Sequence, residues 1–181
     1  LRPDQRVKRG LVRTFQVTSL FPELTPLQSV TLAVCERLGL TGRWHRRTSS
    51  YTAAVDEAAQ ILARLRLAGV GGQPTRTLPY GQQRIVEVAV ALALQPRVLL
   101  LDEPAAGIPT TESAELFEVI AELPRDISLL FIEHDMHLVF RFASRITVLV
   151  AGGIMAEGTP QEIANNPEVR TVYLGNSEHA A

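Results

Sequence analysis

The chain has 181 residues, of which 46% are hydrophobic and 20% charged, with a formal net charge of −1. That is enough for a domain with a sizeable core and a smaller lobe beside it. The near-neutral balance excludes a protein that coats nucleic acid. A single cysteine, Cys35, excludes a disulfide framework and any Cys-based zinc site.

Among the 18 basic residues there is one lysine, Lys8, in Gln-Arg-Val-Lys-Arg-Gly, so the phosphate-loop pattern G-x-x-x-x-G-K-[ST] does not occur. The sequence also starts at Leu1 rather than methionine, and the two facts together lead us to expect a piece of a longer protein. Arg2, Arg6, Lys8, Arg9 and Arg13 read as a solvated basic face. Residues 10–16, Gly-Leu-Val-Arg-Thr-Phe-Gln, are a short β-prone run ending in an amide. After Phe21, Pro22 and Pro26, the apolar spacing predicts a helix over 27–38. Residues 39–50 form a polar connection containing Trp44. The clearest amphipathic helix follows at 52–68, with Val55, Leu62 and Leu65 on one stripe and a stop in the Gly-rich 69–74.

Residues 78–84, Leu-Pro-Tyr-Gly-Gln-Gln-Arg, open a helix predicted over 82–94, with Ile85, Val88, Ala89 and Leu92 on its buried side. Gly81 at the entrance lets backbone approach a ligand closely, and free amides there favour an anion. Residues 97–104 then read Arg-Val-Leu-Leu-Leu-Asp-Glu-Pro. Four apolar residues, too few for a helix, suit a strand buried on both faces, and Pro104 ends it where the acids begin. Asp102 and Glu103 therefore stand at the carboxyl edge of a sheet, where open α/β folds bind ligands. On extended backbone the two side chains point to opposite sides, so one can hold a magnesium ion while the other orients a water for attack on phosphate.

Residues 105–110 are a small-residue loop, and a helix is predicted over 111–123. A second buried strand over 127–132 ends in Glu133, His134 and Asp135, which brings further polar groups to the same edge. A short helix over 136–143 and a strand pair, 146–150 and 154–157, follow. Thr159-Pro160-Gln161-Glu162 is a capping box that starts another helix. The tail beyond Tyr173 is expected to fray.

With these pieces in place the chain resembles the C-terminal two-thirds or so of an ABC-transporter nucleotide-binding subunit. Thr14-Phe15-Gln16 matches the family's Q-loop, residues 78–82 its Leu-Ser-Gly-Gly-Gln signature, and 98–103 its Walker B strand. Residues 105–109 match the D-loop and Ile132-Glu133-His134 the switch-histidine loop. The five occur in the family's order. Arg-Thr-Phe-Gln, Pro-Tyr-Gly-Gln-Gln-Arg, Glu-Pro-Ala-Ala-Gly and the closing Val-Tyr-Leu-Gly resemble, more narrowly, ATP-binding subunits of branched-chain amino acid importers.

The resemblance implies a P-loop NTPase-like α/β fold, a parallel-sheet core with an inserted helical subdomain, here without its N-terminal part. It implies a division into 1–21 (end of the N-terminal core, with the Q-loop), 22–80 (helical subdomain up to the signature), 81–158 (RecA-like core) and 159–181 (C-terminal helix and tail). ATP and Mg²⁺ are the implied cofactors. Asp102, with Gln16, would position the metal, Glu103 would act as general base, Gln16 would sense metal and water, and His134 would contact the γ-phosphate. Leu78, Pro79, Tyr80, Gly81 and Gln82 would face ATP held by a second ABC ATPase subunit. The implied partners are that subunit, transmembrane permease subunits and, indirectly, a substrate-binding protein, with no nucleic acid, at the cytoplasmic face of the membrane.

Three positions depart from the motifs. Pro79 replaces the signature Ser, Tyr80 its first Gly, and Pro109 the usual D-loop Asp or Asn. Pro79 and Pro109 favour a competing reading, a non-catalytic module that keeps the fold. The Arg clusters near Arg9 and Arg46 are the support for a third, an ABC ATPase acting on nucleic acid or ribosomes. Intact Gln16, Asp102, Glu103 and His134 favour the transport ATPase, with this chain alone inactive.

Overall fold

The computed structural model describes residues 2–14, 20–40 and 50–174. Gln16, Trp44 and Arg46, like the tail beyond 174, lie outside them. The chain divides into two units, Leu1–Glu133 and His134–Ala181.

The first unit is built on three parallel strands in the order β1 (Leu11–Arg13), β2 (Val98–Asp102), β3 (Ser128–Ile132). Before them comes α1 (Pro3–Lys8), which the basic composition had suggested only as a solvated face; none of its residues is buried. Helices α2 (Pro26–Arg37) and α3 (Thr52–Arg64) pack on each other and on α4 (Tyr80–Ala93), and α5 (Thr110–Ala121) packs beside α4. α2 starts as its residues dictate, with Thr25 and Gln28 in a capping box and Pro26 in the first turn. α3 stops at Arg64, before the Gly-rich stretch expected to end it. Arg66 itself takes a left-handed conformation (φ 62°), and the Leu67 N–H reaches back to the Leu62 carbonyl at 2.8 Å.

α4 is the centre of this unit. Its buried residues include the expected Ile85, Val88, Ala89 and Leu92, and also Val86, Ala91 and Ala93 on its other sides. One continuous core joins them to Val12, Leu99 and Leu101 of the sheet and to Val30, Val34, Ala58 and Leu62 of α2 and α3. Arg37 ties the helices at one end, donating to both Glu57 carboxylate oxygens (2.7 and 2.6 Å) and, through Nε, to the Ala93 carbonyl at 2.8 Å. Cys35 is buried in this core, and burial raises its thiol pKa, as befits the small apolar residue read from the sequence.

The sequence suits β2 to burial on both faces and reads β3 as a second buried strand, and both expectations need correction. The core takes alternate residues, Leu99 and Leu101 with Leu129 and Phe131, and leaves out Val98, Leu100, Leu130 and Ile132. Leu130 and Ile132 are 60% and 59% exposed. The helices of this unit thus supply apolar cover to one face of the strands. An unbroken apolar run does not reveal whether the second face is covered.

The second unit contains α6 (Met136–Phe142), the antiparallel pair β4 (Ile146–Val150) and β5 (Gly153–Gly158), α7 (Pro160–Ala164) and α8 (Pro167–Val169), which continues as a π-helical turn over Arg170–Leu174. Asp135 caps α6, accepting from the His137 and Leu138 N–H groups. The capping box at α7 forms as read. The Thr159 N–H donates to Glu162 Oε2 at 2.7 Å and the Thr159 hydroxyl at 3.0 Å, and these bonds hold the Glu162 carboxyl below its ordinary pKa. A carboxyl lowered in the folded state stabilises above its unfolded pKa, about 4.3, and that contribution disappears as pH falls through the folded value. Thermal unfolding of wild type and Glu162→Gln should therefore differ most at neutral pH and converge in acid. A difference constant with pH would contradict the capping role.

Candidate active site

The parallel register pairs Val98 with Ser128 and Asp102 with Ile132, so β2 and β3 end together. Beyond the ladder the Glu103 N–H still donates to the Ile132 carbonyl at 2.9 Å, and the Ala105 N–H donates to Glu133 Oε1 at 2.9 Å. Asp102, Glu103 and Glu133 are thereby collected at one sheet edge, as the sequence led us to expect for the two acids. Glu133 has a structural task there that residue types did not reveal, fixing the turn after Pro104. His134 begins the second unit and is exposed.

The geometry of the two adjacent acids differs from the extended-chain expectation. Asp102 closes the strand, but Glu103 has turned into the left-handed region (φ 45°), so alternation no longer sets its direction. Such a conformation in a non-glycine residue is strained by roughly 1–2 kcal/mol and persists where neighbours over-determine it. Here the Ile132 carbonyl on one side and the Ala106 N–H, bonded to the Glu103 carbonyl at 3.0 Å, hold it.

Asp102 has a partner that the sequence did not disclose. Arg13 Nη2 donates to Asp102 Oδ2 at 2.6 Å, with Asp102 a quarter exposed. Arg13 is level with Leu100 in the ladder, so its side chain reaches along the face to the strand end. The pair marks Asp102 as a carboxylate that already answers a positive charge. Among the described residues no group of three or more His, Cys, Asp or Glu side chains is placed to hold a metal ion. One carboxylate fits Mg²⁺ only where phosphate oxygens and waters complete the octahedron, the usual way a magnesium nucleotide is held.

At the entrance of α4, Leu78 is buried, Pro79 and Tyr80 face outward, Gly81 is buried and Gln82 is half-buried. Pro79 is the N-cap residue and α4 starts at Tyr80, ahead of the expected Gln82. Gln83 Nε2 donates back to the Leu78 carbonyl at 2.9 Å. The close approach that Gly81 permits is taken by the Glu112 carboxylate, which accepts from the Gly81 N–H at 3.2 Å. Beneath the entrance, Arg84 pairs with Glu87 at 2.8 Å, the side chains only 4% and 8% exposed, and the guanidinium lies 5.2 Å from the Tyr80 ring centre.

The groove of about 930 Å³ beside Lys8, Arg9 and Arg97 lies at the opposite, amino end of the strands. The carboxyl ends of α1, α2 and α4 converge there, and cations at helix carboxyl ends complement the helix dipoles. Of the basic cluster read from the sequence, Lys8 and Arg9 have this place, whereas Arg2 pairs with Asp4 and Arg13 with Asp102.

With a parallel sheet, acids at its carboxyl edge and a glycine-bearing helix entrance established, comparison with known proteins decides the family. The ABC transporter family model matches residues 2–106. This chain belongs to the ABC transporter family. A second model, the branched-chain amino acid ATP-binding cassette transporter, matches residues 154–179. The chain is 41% identical over 186 residues to the high-affinity branched-chain amino acid transport ATP-binding protein LivG of Salmonella typhimurium, covering 97% of this chain and 72% of that protein. It is 37% identical over 183 residues to BraF of Pseudomonas aeruginosa, with the same coverage. The crystal structure of the ADP conformation of MJ1267, an ATP-binding cassette of an ABC transporter, superposes with a TM-score of 0.79 at 28% identity, covering 97% of this chain and 72% of that one. The fold is the P-loop NTPase-like α/β fold of ABC ATPases, as the resemblance implied.

The buried Arg84–Glu87 pair lies within α4, whose apolar residues share a core with β2. Removing one partner of such a pair leaves an uncompensated buried charge, so Glu87→Ala should destabilise the chain by about 3–5 kcal/mol in urea unfolding. Arg84→Met with Glu87→Leu should recover most of that loss. A single variant losing under about 1 kcal/mol would contradict the burial of the pair.

Proposed function

We propose that this chain is the catalytic part of an ATP-hydrolysing subunit that powers an ABC importer of branched-chain amino acids. The observation that carries the chemistry is the pair of acids at the end of β2, which stops level with β3 in parallel register, Asp102 bonded to the Arg13 guanidinium and Glu103 held in a strained turn. LivG and BraF, both named for branched-chain amino acid transport, support the substrate class. We infer import, a second ATPase subunit and permease subunits as partners, and a peripheral position at the cytoplasmic face; the transport names of the same relatives support this reading. No helix among the described residues is long and apolar enough to cross a membrane.

In this reading Asp102, here bonded to Arg13, would hold Mg²⁺ on a bound nucleotide, and Glu103 would orient the attacking water. Gln16 senses metal and water, His134 meets the γ-phosphate, and residues 78–82 face the nucleotide of the second subunit. The metal supplies charge neutralisation across the phosphates; the chain's own residues supply position. The absence of a G-x-x-x-x-G-K-[ST] phosphate loop from the 181 residues, together with Pro79 and Pro109, supports a second reading, a non-catalytic module of the same fold.

Turnover separates the two. In protein expressed from the full reading frame with its permease, Glu103→Gln should keep nucleotide binding and lower ATP turnover by orders of magnitude, since only the water-activating step loses its partner. Asp102→Asn should weaken magnesium-dependent binding itself. Near-normal turnover in Glu103→Gln would remove Glu103 from the role, and no turnover in the wild type would favour the non-catalytic module.

A further inference from the structure

The entrance of α4 has no cap of its own. Pro79 occupies the N-cap position and offers no side-chain hydrogen bond to the first turn. The first N–H groups of a helix lack internal partners, and Ser, Thr, Asn or Asp at that position normally answers one of them. Here the answer comes from another element. Glu112, in the first turn of α5, accepts from the Gly81 N–H at 3.2 Å. The approach depends on the missing side chain at 81, because a Cβ there would stand 2.7 Å from Glu112 Oε2 and 3.2 Å from Glu112 Cβ. The Tyr80 ring leaves little room beside Gly107, whose φ is +76°: a Cβ there would lie 3.6 Å from Tyr80 Cε1. Gly81 thus bonds the first turn of α5, and the neighbouring Tyr80 ring lies beside the loop that precedes it.

We propose that Glu112 is a positioning residue that caps the signature helix from α5, replacing the side-chain cap that Pro79 cannot give and tying the signature to the D-loop segment of the same chain. A carboxylate suits the task, since negative charge is favoured at a helix N-terminus. The functional consequence rests on reading residues 78–82 and 105–109 as those two motifs. An arriving phosphate that uses the Gly81 amide has to displace Glu112, and that displacement is felt in the turn directly after the D-loop. Each site then reports its occupancy through one hydrogen bond, with Pro109 needing no side-chain polar group for it.

The test is amide exchange at Gly81 in the ¹⁵N-labelled 181-residue chain, without nucleotide. Glu112→Ala should speed exchange at Gly81 roughly tenfold, the factor for a hydrogen bond to a charged group. Glu112→Gln, which keeps an acceptor of the same size, should lose less and serves if the alanine variant does not fold. Adding Pro79→Ser to Glu112→Ala should restore protection at Gly81, because an N-cap hydroxyl accepts from the second or third amide of the turn. A residue that merely filled space would show no such rescue. Unchanged exchange at Gly81 in Glu112→Ala, or protection that Pro79→Ser does not restore, overturns the proposal. Because no nucleotide enters this experiment, its failure is distinct from failure of the Glu103→Gln turnover test.

Discussion

The in-register pairing of β2 with β3 is the constraint on which the rest of the acidic sheet edge depends. It ends both strands at the same level, and two further backbone donors, Glu103 and Ala105, continue the connection past the ladder to the Ile132 carbonyl and the Glu133 carboxylate. A register slip of one residue would turn Asp102 toward the helix-packed face beside Leu99 and Leu101, where an unpaired carboxylate is strongly disfavoured. The alternation of buried and half-exposed residues along β2 therefore protects the chemistry as well as the core. Glu103 in its left-handed turn is tolerable only because both of its backbone groups are held.

α4 conveys that constraint to the other half of the site. It is buried on all sides, sharing a core with the strands and with α2 and α3, so its entrance cannot drift relative to Asp102 without disturbing packing throughout the first unit. Arg37 fixes its exit at Ala93, and Glu112 fixes its entrance at Gly81. The buried Arg84–Glu87 pair sits between them, charged groups in a helix otherwise filled with alanine, valine and leucine. An ATP-binding cassette needs rigid placement more than reactive side chains, and this helix supplies it.

How much of this could be read from residues alone follows from the range of each interaction. The β2 strand was legible because its apolar run stops at two acids and a proline, and the α7 capping box because all of its members lie within four residues. The amphipathic stripe of α3 was clear, but its end was not, since Arg66 adopts a conformation usually left to glycine. Coverage of only one sheet face was hidden, because Leu130 and Ile132 look like any buried pair until their neighbours are placed. The least visible features join distant residues: Arg13 with Asp102 across 89 positions and Gly81 with Glu112 across 31. The motifs named the acids and the glycine, and they contain Arg13, Ile132 and Glu133, but they did not show which group meets which, and Glu112 stood in no motif.

The central claim is that this sheet edge and helix entrance form part of a nucleotide site that a phosphate loop must complete, the loop being the part that supplies the amides and lysine for the β- and γ-phosphates. Calorimetric titration of the 181-residue chain with Mg-ATP tests it most directly, beside the same chain joined to a phosphate-loop segment. No tight site is expected in these 181 residues, and a saturable one wherever a phosphate loop is supplied to them. Micromolar binding of one nucleotide by the 181 residues themselves would contradict it.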